Sequence, residues 1–264
     1  MSAPYRIGTT SFVYPARWID NARRLAGRVE DVELLLFDPP TPQSVPAPAE
    51  LAALAQLRDE TGLTYTVHAP IGFALASEDE GRRRVAVEAI TYVTRLTAPL
   101  APRAVVVHLA PGEREGDPAP VDADAFRRRA VASLRQVLAA TGLAPSTICL
   151  ETLEYDFALA EPVVEELGLS VALDVGHLAR DGVPFDAVVA RNLARARVVQ
   201  WHGTDPSGRD HRSLRHYPRA EGLRLLRTLR AARFTGVLTL EVFGEQDFEE
   251  SLAVLAALEE EVAA

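Results

Sequence analysis

Residues 8–12 read Gly8-Thr9-Thr10-Ser11-Phe12, at the end of the apolar, β-rich run Tyr5–Thr10. A first strand that opens a doubly wound sheet is expected to run into a turn of the form G-x-G-x-x-G, where the backbone approaches a dinucleotide phosphate. One glycine followed by two threonines and a serine is not that turn. The stretch therefore favours the other arrangement of parallel strands, closure into a barrel.

Outward from it, similar short runs recur along the whole chain: Val32–Phe37, Leu63–His68, Ala104–Leu109, Thr147–Thr152, Ser170–Val175, Arg197–His202 and Val237–Phe243. Several are nearly continuous in Val, Ile and Leu, as strands buried on both faces should be. Helical spacing lies between them. Ala49–Asp59 and Phe126–Ala140 carry apolar residues three and four apart and run into Thr-Gly stops, a helix-ending signal. Glu80–Leu96, Phe185–Ala194, Gly222–Ala231 and Phe248–Val262 fill most other gaps, with Asn21–Ala26 and Pro162–Leu167 as shorter crossovers. Eight strands alternating with helices predict an α/β fold, a single (β/α)8 TIM barrel, and 264 residues match the roughly 250 such a barrel needs. One domain is expected over residues 1–264, with Pro39–Pro48 as a stiff loop after the second strand and Gly112–Pro120 as a polar loop after the fourth.

Composition narrows the chemistry. All 28 Lys/Arg positions are arginine, which excludes Schiff-base, phosphate-loop and kinase-type lysines. The one cysteine, Cys149, rules out an internal disulfide, a cysteine zinc site and an iron–sulfur cluster. It is expected to point away from the neighbours of Glu151 and to pack in the core. Trp201 is expected to point outward into the helix layer. A net charge of −9 argues against a nucleic-acid partner. With no run of about 20 apolar residues and no basic-then-apolar start over Met1–Thr10, the expectation is a cytoplasmic protein with no membrane partner.

Reactive side chains gather at the predicted strand ends. His68, His108, His177 and His202 end Tyr-Thr-Val-His, Val-Val-Val-His, Asp-Val-Gly-His and Val-Gln-Trp-His; Glu151, Asp174 and Glu241 stand in Cys-Leu-Glu-Thr, Ala-Leu-Asp-Val and Thr-Leu-Glu-Val. Six of the eight strands thus deliver His, Asp or Glu to the C-terminal rim, where barrel active sites lie. A carboxylate such as Glu241, set between Leu240 and Val242, is costly to bury unless it meets a cation or several donors. Imidazole and carboxylate without thiolate suit divalent Zn, Mn, Co or Fe, and so many donors suit two or three ions. Clustered ions activate water and neutralise phosphoryl oxygen, whereas one ion suits a sugar carbonyl. In the loop after the seventh strand, Asp210 and His211 are candidates for a further ion position, and His216 is a weaker one. Arg209 and Arg212 are candidates to clamp a phosphate. Thr9, Thr10 and Ser11 put hydroxyls at the rim, for substrate or for turn capping.

At these residues the chain resembles the xylose-isomerase-like barrel superfamily, which includes sugar-phosphate isomerases and epimerases and the endonuclease IV type of abasic-site nuclease. Ligands there come from successive strand ends as His, His, Glu, Asp, His, His and Glu; the matching residues are His68, His108, Glu151, Asp174, His177, His202 and Glu241. The nuclease branch adds Asp-x-His after the seventh strand, where this chain has the adjacent pair Asp210-His211. Longer strings resemble the cobamide-remodelling phosphodiesterases: Gly8–Ser11, Asp31–Leu34, Leu63–His68, Leu173–Leu178, Gly208–Leu214 and Leu238–Gly244. That resemblance implies a small-molecule corrinoid substrate. It implies hydrolysis of the nucleotide-loop phosphodiester, releasing an α-riboside and leaving cobinamide phosphate. Glu151 would bridge two ions, one held by His68 and His108, the other by Asp174, His202 and Glu241. His177, Asp210 and His211 would hold a third ion or orient the leaving ribose. Glu151 and Glu241 are the catalytic candidates, and Thr10, Ser11 and Arg209 the substrate-binding ones. Three alternatives stay open: a sugar isomerase or epimerase with one ion on Glu151, Asp174, His202 and Glu241, an abasic-site nuclease, and a non-enzymatic corrinoid- or metal-binding barrel.

Overall fold

The structure, a computed structural model, describes residues 4–37, 41, 44–112 and 122–263. Most of the expected loop at 112–120 and part of the one at 39–48 lie outside the described residues. The eight expected strands form: β1 (Arg6–Thr10), β2 (Asp31–Leu35), β3 (Thr64–His68), β4 (Val105–Val107), β5 (Ile148–Glu151), β6 (Ser170–Asp174), β7 (Ala196–Trp201) and β8 (Val237–Leu240). All neighbours are parallel, and the sheet closes through β1 and β8, with Gly8 opposite Asp31 on one side and Thr239 on the other. A Cβ at Gly8 would meet Val237 and Asp31 at 3.0 and 3.2 Å, so the seam closes tightly only around a glycine. The α/β (β/α)8 TIM barrel read from the strand runs is the fold observed.

Helices pack around the sheet: α1 (Trp18–Leu25), α2 (Pro48–Thr61), α3 (Glu80–Thr97), α4 (Ala123–Thr141), α5 (Glu161–Leu167), α6 (Val175–Arg180), α7 (Phe185–Asn192), α8 (Arg219–Ala231) and α9 (Glu245–Ala263). Local chemistry sets several of their ends. Asp79 and Asp122 accept backbone N–H bonds at the starts of α3 and α4, and Gly62 and Gly142 take left-handed conformations (φ +75° and +67°) at the ends of α2 and α4. The first helix starts earlier than the Asn21–Ala26 expectation, because Trp18 and Ile19 are buried and the Trp18 indole donates to the Leu35 carbonyl at 2.9 Å. The helix not foreseen is α6. Its six residues are too few to show a helical period, and it starts where Asp174 accepts from the His177 N–H at 2.8 Å.

Strand alternation divides the core. Outward-facing strand residues such as Val67, Leu150, Leu173 and Leu240 join the helix layer in one large cluster. Trp201 is there as expected, packed edge-on to Tyr217 with ring centroids 5.5 Å apart. A second, small cluster of Ala104, Val106, Cys149, Ala172 and Val198 fills the barrel interior. Cys149 is therefore core as expected, on the same inward face as Glu151 two residues on and away from the neighbouring Leu150, which joins the helix-side cluster; residues i and i+2 of a strand share a face. Burial pushes its thiol up to about 12. Native protein at pH 8 is expected to resist iodoacetamide and to label fully in denaturant, as intact mass would read; fast labelling of the native form would contradict this packing. No described helix is long and apolar enough to cross a membrane.

Candidate metal centre

Alternation that fills the lower barrel with alanine and valine turns the next inward residues of the same strands into donors. His68, Glu151 and Asp174 are the last residues of β3, β5 and β6, and His108, His202 and Glu241 follow β4, β7 and β8 directly. His68, His108, Glu151, Asp174, His177, His202 and Glu241 are all buried.

Glu151 sits between two groups. Its Oε2 faces both His68 Nε2 at 3.0 Å and His108 Nε2 at 3.1 Å. Its Oε1 faces His177 Nδ1 at 3.8 Å, and that nitrogen lies 3.1 Å from Asp174 Oδ2. Across the mouth, His202 Nε2 lies 3.3 Å from Asp174 Oδ1, and His211 Nδ1 lies 3.6 Å from Glu241 Oε2. Among the described residues, ligand atoms converge in four overlapping triads: His68, His108 and Glu151; Glu151, Asp174 and His177; Asp174, His202 and Glu241; and His177, His202 and His211.

The electrostatics of the cluster are strongly coupled. Burial would raise the Glu151 carboxyl, but His108 and His68 outweigh it and hold it well below the usual carboxylate range. Asp174 is likewise lowered against its burial by His177 and His202. Glu241 goes the other way, raised well above the ordinary value by burial and by the charges of Glu33, Asp174 and Glu151. Asp174 Oδ2, His177 Nδ1, His202 Nε2 and Glu241 Oε2 are buried without a well-aligned hydrogen-bond partner. Orphaned donors and acceptors of this kind cost about 1–3 kcal/mol each. Their convergence as oxygens and imidazole nitrogens fits bound divalent ions.

Asp210 and His211 are placed by their loop. Gly203 and Arg212 bridge its two ends, and His211, at φ +51°, donates its backbone N–H to His202 Nδ1 at 3.1 Å. The His211 ring lies 4.2 Å from that of His202, and burial, with the nearby His202 charge, pushes it down to about 4, so it is neutral at pH 7. Asp210 is in none of the triads; its carboxylate is ion-paired with Arg180, and Oδ2 stands 3.7 Å from His177 Nε2. His216 is in none of them either. The Thr10 hydroxyl donates to the Val242 carbonyl at 2.8 Å and the Ser11 hydroxyl accepts from the Leu35 N–H at 3.1 Å. Both hydroxyls thus tie β1 to its neighbours. Arg209 is largely exposed and pairs with Asp205, and Arg212 pairs with Asp247 at 2.9 Å.

Reasoning from strand ends overlooked Glu33. It lies in the middle of β2, fully buried, with neither carboxylate oxygen hydrogen-bonded. Burial pushes it up to about 8, against the pull of His68. Like Glu241, it is an acid set inside an apolar run, Val32-Glu33-Leu34. The structure also presents exposed apolar side chains on four strand-end loops. Phe12, Phe37, Ile71 and Phe243 are 40–51% exposed, with Phe12 edge-on to Phe37 at 4.8 Å and Phe243 4.6 Å from the His211 ring.

A family profile described as xylose isomerase-like TIM barrel matches residues 20–258. Three solved structures illustrate the fold similarity. A D-tagatose 3-epimerase-like protein is 18% identical with a TM-score of 0.78, covering 98% of both chains. Endonuclease IV from Thermus thermophilus is 20% identical with a TM-score of 0.73, over 97% of this chain and 99% of that one. A 3-keto-D-glucoside 4-epimerase from E. coli is 19% identical with a TM-score of 0.71, over 97% and 99%. No curated protein sequence matches the chain.

Proposed function

The chain belongs to the xylose isomerase-like TIM barrel family, and we propose that it is a metal-dependent phosphodiesterase acting on the nucleotide loop of cobamides. The observation that carries the hydrolytic reading is the position of Glu151, with one oxygen toward His68 and His108 and the other toward His177 and Asp174. A carboxylate divided in this way suits two neighbouring ions. An isomerising site with one ion on Glu151, Asp174, His202 and Glu241 leaves His68 and His108 to a lesser role. Ions held here would supply Lewis acidity that activates water and neutralises charge on a phosphoryl oxygen. Glu151 would share its charge between two such positions. His68 and His108 would serve one, and Asp174, His202 and Glu241 the other, in a mouth whose burial strengthens every charge interaction. Water adds across the P–O bond on the ribose side, leaving the phosphate on the cobinamide and a hydroxyl on the α-riboside.

The substrate class rests on the strings that resemble cobamide phosphodiesterases. The exposed apolar side chains Phe12, Phe37, Ile71 and Phe243 on loops of this rim support it, since a corrinoid offers broad methyl-bearing ring faces between its amide side chains where a sugar is small and polar. A net charge of −9 runs against DNA as the substrate.

A sugar isomerase or epimerase is the second reading, and the comparisons favour it over the first: two of the three similar structures above are epimerases or epimerase-like by name. Asp174, His202 and Glu241 also form a triad by themselves. Incubation of the metal-loaded protein with adenosylated cobamides and, in parallel, with ketoses separates the two by chromatography and mass spectrometry. Free α-riboside with cobinamide phosphate is the expected result. Intact cobamides with an epimerised sugar would establish the second reading instead.

A further inference from the structure

Asp210, expected from the sequence as a ligand of a further ion, already faces a cation, the Arg180 guanidinium. The α6 helix presents His177 and Arg180 three residues apart, on one side of the helix. The Arg180 guanidinium donates to Asp210, to Asp181 at 2.7 and 3.0 Å and to Glu154 at 2.8 Å. These bonds join the loops after β5, β6 and β7 through one planar fork of donors. The Arg180 and Asp210 side chains are only 21% and 31% exposed, which strengthens the pairing over a surface ion pair. The loop cannot easily carry Asp210 elsewhere, because Gly203 and Arg212 exchange hydrogen bonds at 2.8 and 3.0 Å and His211 is bonded to His202.

His177 has two faces. Its Nδ1 looks inward to Asp174 and Glu151, while Nε2 looks outward to Asp210. Through Nδ1, His177 completes the triad with Glu151 and Asp174 and so would add to the ligands of the second position; a ligating histidine commonly offers its other nitrogen to a carboxylate, which fixes the ring and its tautomer.

We propose that Asp210 is a positioning residue, neutralised by Arg180 and set against His177, and that the Arg180 guanidinium stands where a third ion would be, so that the centre takes two ions rather than three. The proposal rests on the metal-centre reading, but its test needs no substrate, so it stands or falls apart from the cobamide assignment.

The test is ion counting. Protein stripped with chelator and reloaded with Zn²⁺ or Co²⁺ is desalted and analysed by elemental mass spectrometry, with folding checked by circular dichroism. Wild type is expected to retain two ions per chain. Asp210→Asn, close to isosteric, is expected to keep both but to bind the weaker one about 10- to 100-fold less tightly, the usual effect of losing a carboxylate behind a ligating histidine. Arg180→Met, which frees Asp210, is expected to take up a third ion in excess metal. Three ions in wild type would overturn the proposal, whether a fall to two in Asp210→Asn made Asp210 a ligand or an unchanged count placed the third ion on His177, His202 and His211. A wild-type count of one, or unchanged affinities in Asp210→Asn, would overturn it as well. An Arg180→Met protein that stays at two would refute the part given to the guanidinium.

Discussion

Glu151→Gln is expected to leave a folded barrel that has lost turnover by about 10³-fold or more, at or above the upper end for removing one charge-stabilising group from a water-excluded site. The amide keeps the shape but cannot neutralise ions on both sides, so metal content should fall with activity. Full activity in this variant would sink the two-ion assignment. The same substitution has a signature in the metal-free protein. Glu151 is depressed below its ordinary 4.5, so its stabilising contribution is present above pH 4.5 and is lost as pH falls through the folded value. His68 is raised above its ordinary 6.5 by its hydrogen bond and charge contact with Glu151, which outweigh burial, so its contribution is complete below pH 6.5 and fades as pH rises through the folded value. The pair is therefore strongest between about pH 4.5 and 6.5. In chelator, the Tm gap between wild type and Glu151→Gln should be widest there and narrow at higher pH. A gap that grows from pH 7 to 9 would mean the pairing is misassigned.

Gly176→Ala is expected to damage the centre although alanine is the better helix former by about 1 kcal/mol. A Cβ at this position in α6 would lie 2.4 Å from His202 Nε2 and 2.5–2.6 Å from the ring carbons beside it. His202 cannot step aside, since it is fully buried, with the His211 ring 4.2 Å away and Asp174 at 3.3 Å. Displacement of a reacting group by about 1 Å costs on the order of 10²-fold in rate. The expected outcome is loss of the ion held by Asp174, His202 and Glu241, activity lower by that factor or more, and a reduced Tm. Unchanged metal content and activity would show that α6 moves to make room.

Both predictions turn on features of different visibility in the sequence. The donors at strand ends were legible because polar residues stand out against runs such as Val105-Val106-Val107-His108, and because parallel strands all deliver their C-terminal ends to one rim. Glu33 was equally legible in principle but sits mid-strand, where the rule of looking at strand ends does not reach. α6 was not legible, and with it the three-residue spacing of His177 and Arg180 went unread. Thr10 and Ser11 read equally well as substrate ligands or turn caps. Only their bonds to Val242 and Leu35 show that they tie strands together.

Sequence alone determined the α/β barrel, the eight strands and the rim that carries the donors, because alternation and helical spacing are local and burial of apolar runs admits few architectures. Tertiary structure decided how those donors are shared. Glu151 serves two groups, Asp210 is taken by Arg180, and Gly176 lies against His202. Barrel closure and loop packing bring together side chains as distant in the chain as His68 and Glu151, at separations of a few ångströms that no local pattern encodes.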